Sequence, residues 1–334
     1  MLHAFFRALS FLVSLASIAL VAASDWFVHQ PRHWQESQAQ KVPAPLAGWA
    51  ERIGQASADV TDALGVTGHD VTATLSAPLP TNGLVFAGLP VRQSNGAAPS
   101  DIILLRKKGF IVGYSPSLRH PVWVAYKTFP ARKREALPRP SGFKPDPALA
   151  NPPQPKDYAK TGYNRGHMVP NRAIASRYGK EAQEQTFLTS NVCPQRAGLN
   201  QGPWCDLEFR ISELWPDCYG EVWVIAGAVT APDSKRLPSG ISIPAAFYQI
   251  VVAQEKNKLR AFAVYMPQNI RRHTFARATL ASIDEVEKLS GFDFLAGLPD
   301  DVEKPLESAT PTRLWPAGPA GALKLLREYF RTYD

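Results

Sequence analysis

Proline sets the first limit on what this chain can fold into. Thirty of the 334 residues are proline, roughly twice the usual share of about 5%. Each one fixes φ and removes a backbone donor, which argues against a helical bundle and for long irregular segments. Pro43, Pro45, Pro78 and Pro80 bracket a helix signal over Leu46–Leu64. A second crowd, Pro145, Pro147, Pro152, Pro153 and Pro155, follows Arg132, Lys133, Arg134, Arg139 and Lys144. A loop of that length without apolar periodicity is either disordered or functional.

From about residue 84 short apolar runs bounded by Gly, Pro or charge predict strands. They cover Leu84–Phe86, Ile102–Leu105, Phe110–Tyr114, Val122–Tyr126, Phe187–Ser190, Val222–Ala226, Tyr248–Val252 and Arg260–Tyr265. Ser282–Leu289 reads as a helix stopped by Gly291, and Ala320–Tyr329 as an amphipathic one. The chain thus divides into residues 1–23, a linker over 24–84, a main domain over 85–300 and a tail over 301–334. With 45% apolar and 20% charged residues it has the composition of a globular protein, not of a disordered tail, coiled coil or polytopic membrane protein. Lys and Arg number 37 against 29 Asp and Glu, a net charge of +8. That favours a polyanionic partner and leaves nucleic acid, membrane surface and acidic polysaccharide open.

Residues 1–23 read as a targeting segment: Arg7, an apolar run Phe11–Ala23, then Val21-Ala22-Ala23 ahead of Ser24. Cleavage there gives a periplasmic or secreted protein. Extension through Trp26, Phe27 and Val28 gives an uncleaved membrane anchor instead. Cys193, Cys205 and Cys218 allow at most one disulfide within the chain. Their spacing matches no zinc pattern, and at least one is expected to be a plain buried cysteine.

Two segments carry chemistry. The first is Tyr163-Asn164-Arg165-Gly166-His167, continuing to Asn171. The second holds Ser190-Asn191-Val192-Cys193-Pro194-Gln195, then Leu199-Asn200-Gln201-Gly202-Pro203-Trp204 and Leu207-Glu208. Asn200, Trp204, Leu207, Ile211 and Leu214 recur at spacings of three and four and predict one helix face, with Pro203 in the first turn. On one continuous helix Asn200 and Glu208 lie about 12 Å apart along the axis. An amide oxygen at Asn200 then suits a hard cation directly, and the Glu208 carboxylate reaches it through water.

These motifs resemble the DNA/RNA non-specific endonucleases, the ββα-metal (His-Me finger) nucleases. Their hallmark is Asp-Arg-Gly-His followed by a Leu-Asn…Trp…Leu-Glu helix. Pro121–Tyr126, Phe143–Pro147, Val224–Gly227, Ile243-Pro244 and Ile283–Glu287 extend the likeness over roughly residues 85–298. The resemblance implies an α/β (α+β) fold, with a mixed central β-sheet, packed helices and a ββα-metal motif. It implies a Mg²⁺-dependent nuclease, with Mn²⁺ as a substitute ion, that hydrolyses DNA and RNA to 5′-phosphate and 3′-hydroxyl ends. His167 corresponds to the general base, Asn200 to the direct metal ligand and Glu208 to the residue holding the ion through water. Arg165 and, more loosely, Arg139 correspond to phosphate-contacting arginines, and Asn191 to a supporting residue. The family often dimerises. Asn164 stands where the motif has aspartate and removes a negative charge near the ion. A catalytically weak relative that binds nucleic acid is therefore the alternative reading, and a phosphodiesterase for another polyanion a third.

Overall fold

The computed structural model describes residues 59–331, apart from 67, 80–82, 95, 132–136 and 275. The targeting segment and the basic run Arg132–Arg134 lie outside the described residues, as does most of the Leu46–Leu64 helix. Residues 59–64 are helical. The chain divides into two compact units, one over His69–Leu314 and the other from residues up to 68 together with those from 315.

The larger unit begins with strands β1 (Val71–Thr74), β2 (Val91–Arg92), β3 (Ile103–Arg106), β4 (Phe110–Ser115) and β5 (His120–Thr128). Next come β6 (Asn164–His167), helix α1 (Asn171–Thr186), β7 (Val192–Gln195), and helices α2 (Ala197–Asn200), α3 (Pro203–Glu213) and α4 (Trp215–Tyr219). Then follow β8 (Val222–Val229), β9 (Ala246–Glu255), β10 (Lys258–Pro267), β11 (Leu280–Ala281), α5 (Ile283–Ser290), β12 (Phe292–Asp293) and α6 (Asp300–Ser308). The smaller unit carries α7 (Gly318–Arg331), preceded by a hydrogen bond of 2.7 Å from the Ala317 amide to Ala63 O.

The main sheet has eight strands in the order β1-β10-β9-β8-β5-β4-β3, with β11 beside β10. The expected central sheet with packed helices is present. Its pairings are all antiparallel, where a mixed sheet was expected. Short connections such as the one between β9 and β10 return the chain beside itself, and only antiparallel partners can be joined so directly.

Residues alternate across this sheet, and both faces are covered. Trp123 and Ala125 of β5, Ile225 of β8 and Tyr248 and Ile250 of β9 enter a buried apolar cluster with Ile283, Val286, Phe294, Val302 and Leu306. Their neighbours face the other way: Phe247 meets Trp204 of α3 at 5.7 Å, and Phe262 meets Trp215 of α4 at 5.3 Å. Helices α5 and α6 therefore cover one face and α3 and α4 the other.

Two expected strands are absent. Leu84–Phe86 is a series of bends, because Phe86 packs on Trp223 at 5.1 Å while the Trp223 indole donates to Gly83 O. Phe187–Ser190 is turn and 3₁₀ backbone that makes one parallel bridge through Lys144 and Leu188 instead of a ladder. The α5 expectation holds in detail. Ser282 Oγ accepts the Glu285 amide at the start, and Gly291 ends the helix in left-handed backbone at φ 76°. A Cβ at Gly291 would lie 2.4 Å from Ala98 N and 2.5 Å from Ala97 N. Gly291→Ala is expected to lose about 2–4 kcal/mol from left-handed strain and overlap. Urea unfolding measures it, and a loss below ~1 kcal/mol would mean that the loop before β3 yields freely.

Candidate functional site

The site grows from the antiparallel pair β6–β7, in which Asn164 faces Gln195 and His167 faces Val192. Behind His167, the buried Asn191 works as a clamp. Its Oδ1 accepts the Val169 amide at 2.9 Å, and its Nδ2 donates to Val169 O at 3.0 Å and Thr186 O at 2.9 Å. The chain leaving β6 is thereby fixed to the end of α1. Arg177 fixes α1 in turn, donating to Phe129 O at 2.6 Å and Ser212 O at 2.7 Å.

The His167 ring stands between two aromatic walls, Phe143 at 4.8 Å and Phe187 at 4.9 Å. Both walls hang from one buried carboxylate. Asp146 accepts from Lys107 at 2.6 Å, from Ser190 Oγ and from the Ala148 amide. Lys144 N donates to Phe187 O at 2.9 Å, and Thr189 N donates to Lys144 O at 2.9 Å, closing the frame. Burial alone would raise the Asp146 pKa, yet these donors outweigh it and hold the group below the usual range.

His167 keeps an edge toward solvent, but its Nε2 is buried with no hydrogen-bond partner among the described residues. Burial, and secondarily the Arg139 guanidinium, lower its pKa to about 3, so the ring is neutral at pH 7. Arg139 lies over Phe187 at 5.0 Å and Arg165 over Phe143 at 5.4 Å, so each wall carries a cation on it. Arg165 also donates to Pro155 O at 3.3 Å and is otherwise exposed.

The expected single helix through Asn200 and Glu208 is broken. Asn200 ends α2 and Glu208 lies within α3, separated by a turn at Gln201-Gly202. A Cβ at Gly202 would fall 2.4 Å from both Arg272 O and Gly198 O, so this turn requires glycine. The 12 Å axial separation expected of one continuous helix therefore does not apply. Glu208 Oε1 accepts the Trp204 indole N–H at 3.0 Å. Burial raises its pKa to about 8, against smaller opposing effects of the Trp204 bond, Arg172 and Arg139. The donors fit a hard cation: an amide oxygen and a carboxylate, the latter desolvated and with no salt bridge among the described residues.

His167, Arg139, Arg165 and Glu208 are thus linked by contact or by field, and Asn191 stands behind them as a structural brace. Asn164 is half-buried on β6. Sequence reading missed α1 altogether, and with it Arg172, which lies over Phe209 at 5.3 Å and acts on Glu208. That helix is mostly polar and kinked at Gly179, so no apolar stripe announces it. Cys193 is a plain buried cysteine whose thiol faces Pro121 O at 3.5 Å.

A family model described as DNA/RNA non-specific endonuclease matches residues 91–301. A nuclease of Serratia marcescens is 31% identical over 199 residues, covering 56% of this chain and 72% of the relative. A nuclease of a Nostoc species is 28% identical over 230 residues, covering 64% and 82%. The mitochondrial nuclease EXOG of Homo sapiens is 30% identical over 183 residues, covering 47% and 46%. Among solved structures, the EndoG/EndoGI complex aligns with a TM-score of 0.54 at 24% identity, over 60% of this chain and 88% of that one. The last likeness speaks to the fold.

Two outcomes test this geometry. Asp146→Ala strands the buried Lys107 and is expected to cost about 3–5 kcal/mol in urea unfolding, an order expected for breaking a buried pair. In the metal-free protein the His167 ring resonances should stay flat from pH 8 to 5, with a midpoint nearer 3. Because the unfolded chain takes up a proton near 6.5 that the folded ring refuses, this residue's share of stability rises with pH across that window. An NMR midpoint near 6.5 would contradict the buried, neutral ring.

Proposed function

We propose that this chain, which belongs to the DNA/RNA non-specific endonuclease family, is a nuclease that hydrolyses phosphodiester bonds of DNA and RNA with His167 as general base. The observation that carries the reading is the seating of the His167 ring, held between Phe143 and Phe187 with one edge toward solvent and a guanidinium over each wall. A ring held neutral can accept a proton through the nitrogen on its open edge, and a water beside a bound phosphate supplies one. Arg139 and Arg165 offer guanidinium donors to the phosphate from the two aromatic walls. An anion held there offsets the field of Arg139 and moves the imidazole pKa upward, toward a more useful basicity.

Asn200 and Glu208 would hold Mg²⁺, or Mn²⁺ in its place, with Trp204 orienting the carboxylate. When bound, the ion supplies Lewis-acid relief of charge at the phosphoryl and leaving oxygens. Because water is the external nucleophile, the RNA 2′-hydroxyl is not a reactant, and one site serves both sugars. The products are 5′-phosphate and 3′-hydroxyl ends. Export through residues 1–23 matches this role, either as a cleaved signal or as an anchor. No helix among the described residues is long and apolar enough to cross a membrane.

Asn164 favours one other reading, a relative that binds nucleic acid but turns it over slowly. Plasmid and RNA cleavage by the full chain separates the two. Under the first reading Mg²⁺ supports cutting of both substrates and EDTA stops it. His167→Ala lowers the rate at least ~10²-fold with binding retained, and Asn164→Asp raises it. Salt-sensitive binding without cutting under Mg²⁺ or Mn²⁺ would replace the first reading with the second.

A further inference from the structure

On the other face of the sheet, away from Trp204 and Glu208, the charge balance of the chain is locally inverted. Asp284 and Glu287 lie one turn apart on α5, and Glu307 reaches them from α6. One carboxylate oxygen from each residue falls within 4.8 Å of the others. The fields of Asp293 on β12 and Glu303 on α6 add to the same negative spot. The lysine of α6, Lys304, is turned to Asp300. Among the described residues no lysine or arginine forms an ion pair with any of the three, in a protein of net charge +8.

A second observation concerns Glu307 itself. It is only 5% exposed, and its Oε1 is buried with no hydrogen-bond partner among the described residues. Withdrawing a carboxylate oxygen from water without a donor is costly. Glu287 Oε1 accepts the Phe294 amide at 2.7 Å. Asp284 is exposed and leaves an open side through which an ion and its waters can enter.

We propose that Asp284, Glu287 and Glu307 bind a hard divalent cation of the calcium class, which ties α5 to α6 on the face opposite α3. The donors are all oxygen, with no histidine or cysteine among them, which selects against the softer transition metals. Three carboxylates supply between three and six of the roughly six to eight oxygens that Ca²⁺ takes, and water completes the shell. The ion relieves the mutual repulsion of the three groups and satisfies the stranded Glu307 oxygen. It belongs to the scaffold, separate from the proposed nucleolytic ion at Asn200 and Glu208.

The test is thermal unfolding and calorimetric titration of the chelator-stripped full chain with Ca²⁺ in the low-millimolar range. Wild type and Asn200→Ala, which removes the proposed catalytic ligand, should show the same rise in Tm. Glu307→Gln keeps the shape of the side chain but should bind Ca²⁺ at least ~10-fold more weakly and lose the rise. Glu307→Lys carries its own cation and should be stabilised without Ca²⁺ and unresponsive to it. A wild-type Tm indifferent to Ca²⁺ would overturn the proposal and assign the cluster to a shared proton. A Glu307→Gln protein that responds like wild type would overturn it as well.

Discussion

Side chains alternate along a strand, so β5, β8, β9 and β10 must each satisfy two cores at once. Trp123, Ala125, Tyr248 and Ile250 are withdrawn on one face, while Phe247 and Phe262 are withdrawn on the other. Each large apolar side chain removed from water in this way contributes about 1.5–3 kcal/mol. A register slip of one residue in any of these strands would exchange the two faces and lose both cores. The helices that carry Glu208 and the helices that carry the acidic cluster are held apart by this single layer.

The candidate site spends part of that stability. Its imidazole is desolvated between Phe143 and Phe187 and kept neutral, and its Nε2 has no partner among the described residues. A ring so placed would drift if its walls were loose. The Lys107–Asp146–Ser190 frame holds both walls from behind, and Asn191 holds the backbone beyond His167. None of these residues needs to touch a substrate. Their contribution is to make the orientation of His167 a property of the fold.

Several elements were legible in the sequence because their signals are local. The strands at Phe110, Val122, Val222, Tyr248 and Arg260 appear as short apolar runs, and α5 appears through its Ser282 cap and Gly291 stop. The family motif was legible for a related reason. Asn-Arg-Gly-His and the Asn200…Glu208 segment are ordered strings of residues, and a family model matches the region around them. Helix α1 was not legible, because a polar helix kinked at Gly179 shows no periodic stripe. The break after Asn200 was missed because apolar spacing runs across it, while the need for glycine at position 202 comes from two carbonyls, that of Gly198 nearby and that of Arg272 far along the chain.

By itself, then, the sequence determined the residue types of the chemistry: a histidine, an amide, a carboxylate and arginines in a recognisable order. It also determined a strand-rich, proline-interrupted chain that cannot form a bundle. Only the tertiary structure decided how those residues stand to one another. It seats Arg139 and Arg165 on the two walls of His167, desolvates Glu208 and gathers Asp284, Glu287 and Glu307 into one cluster. The reason is physical: burial and charge proximity depend on segments distant in sequence meeting across a sheet, and a local pattern holds no record of what lies on the far side of a strand.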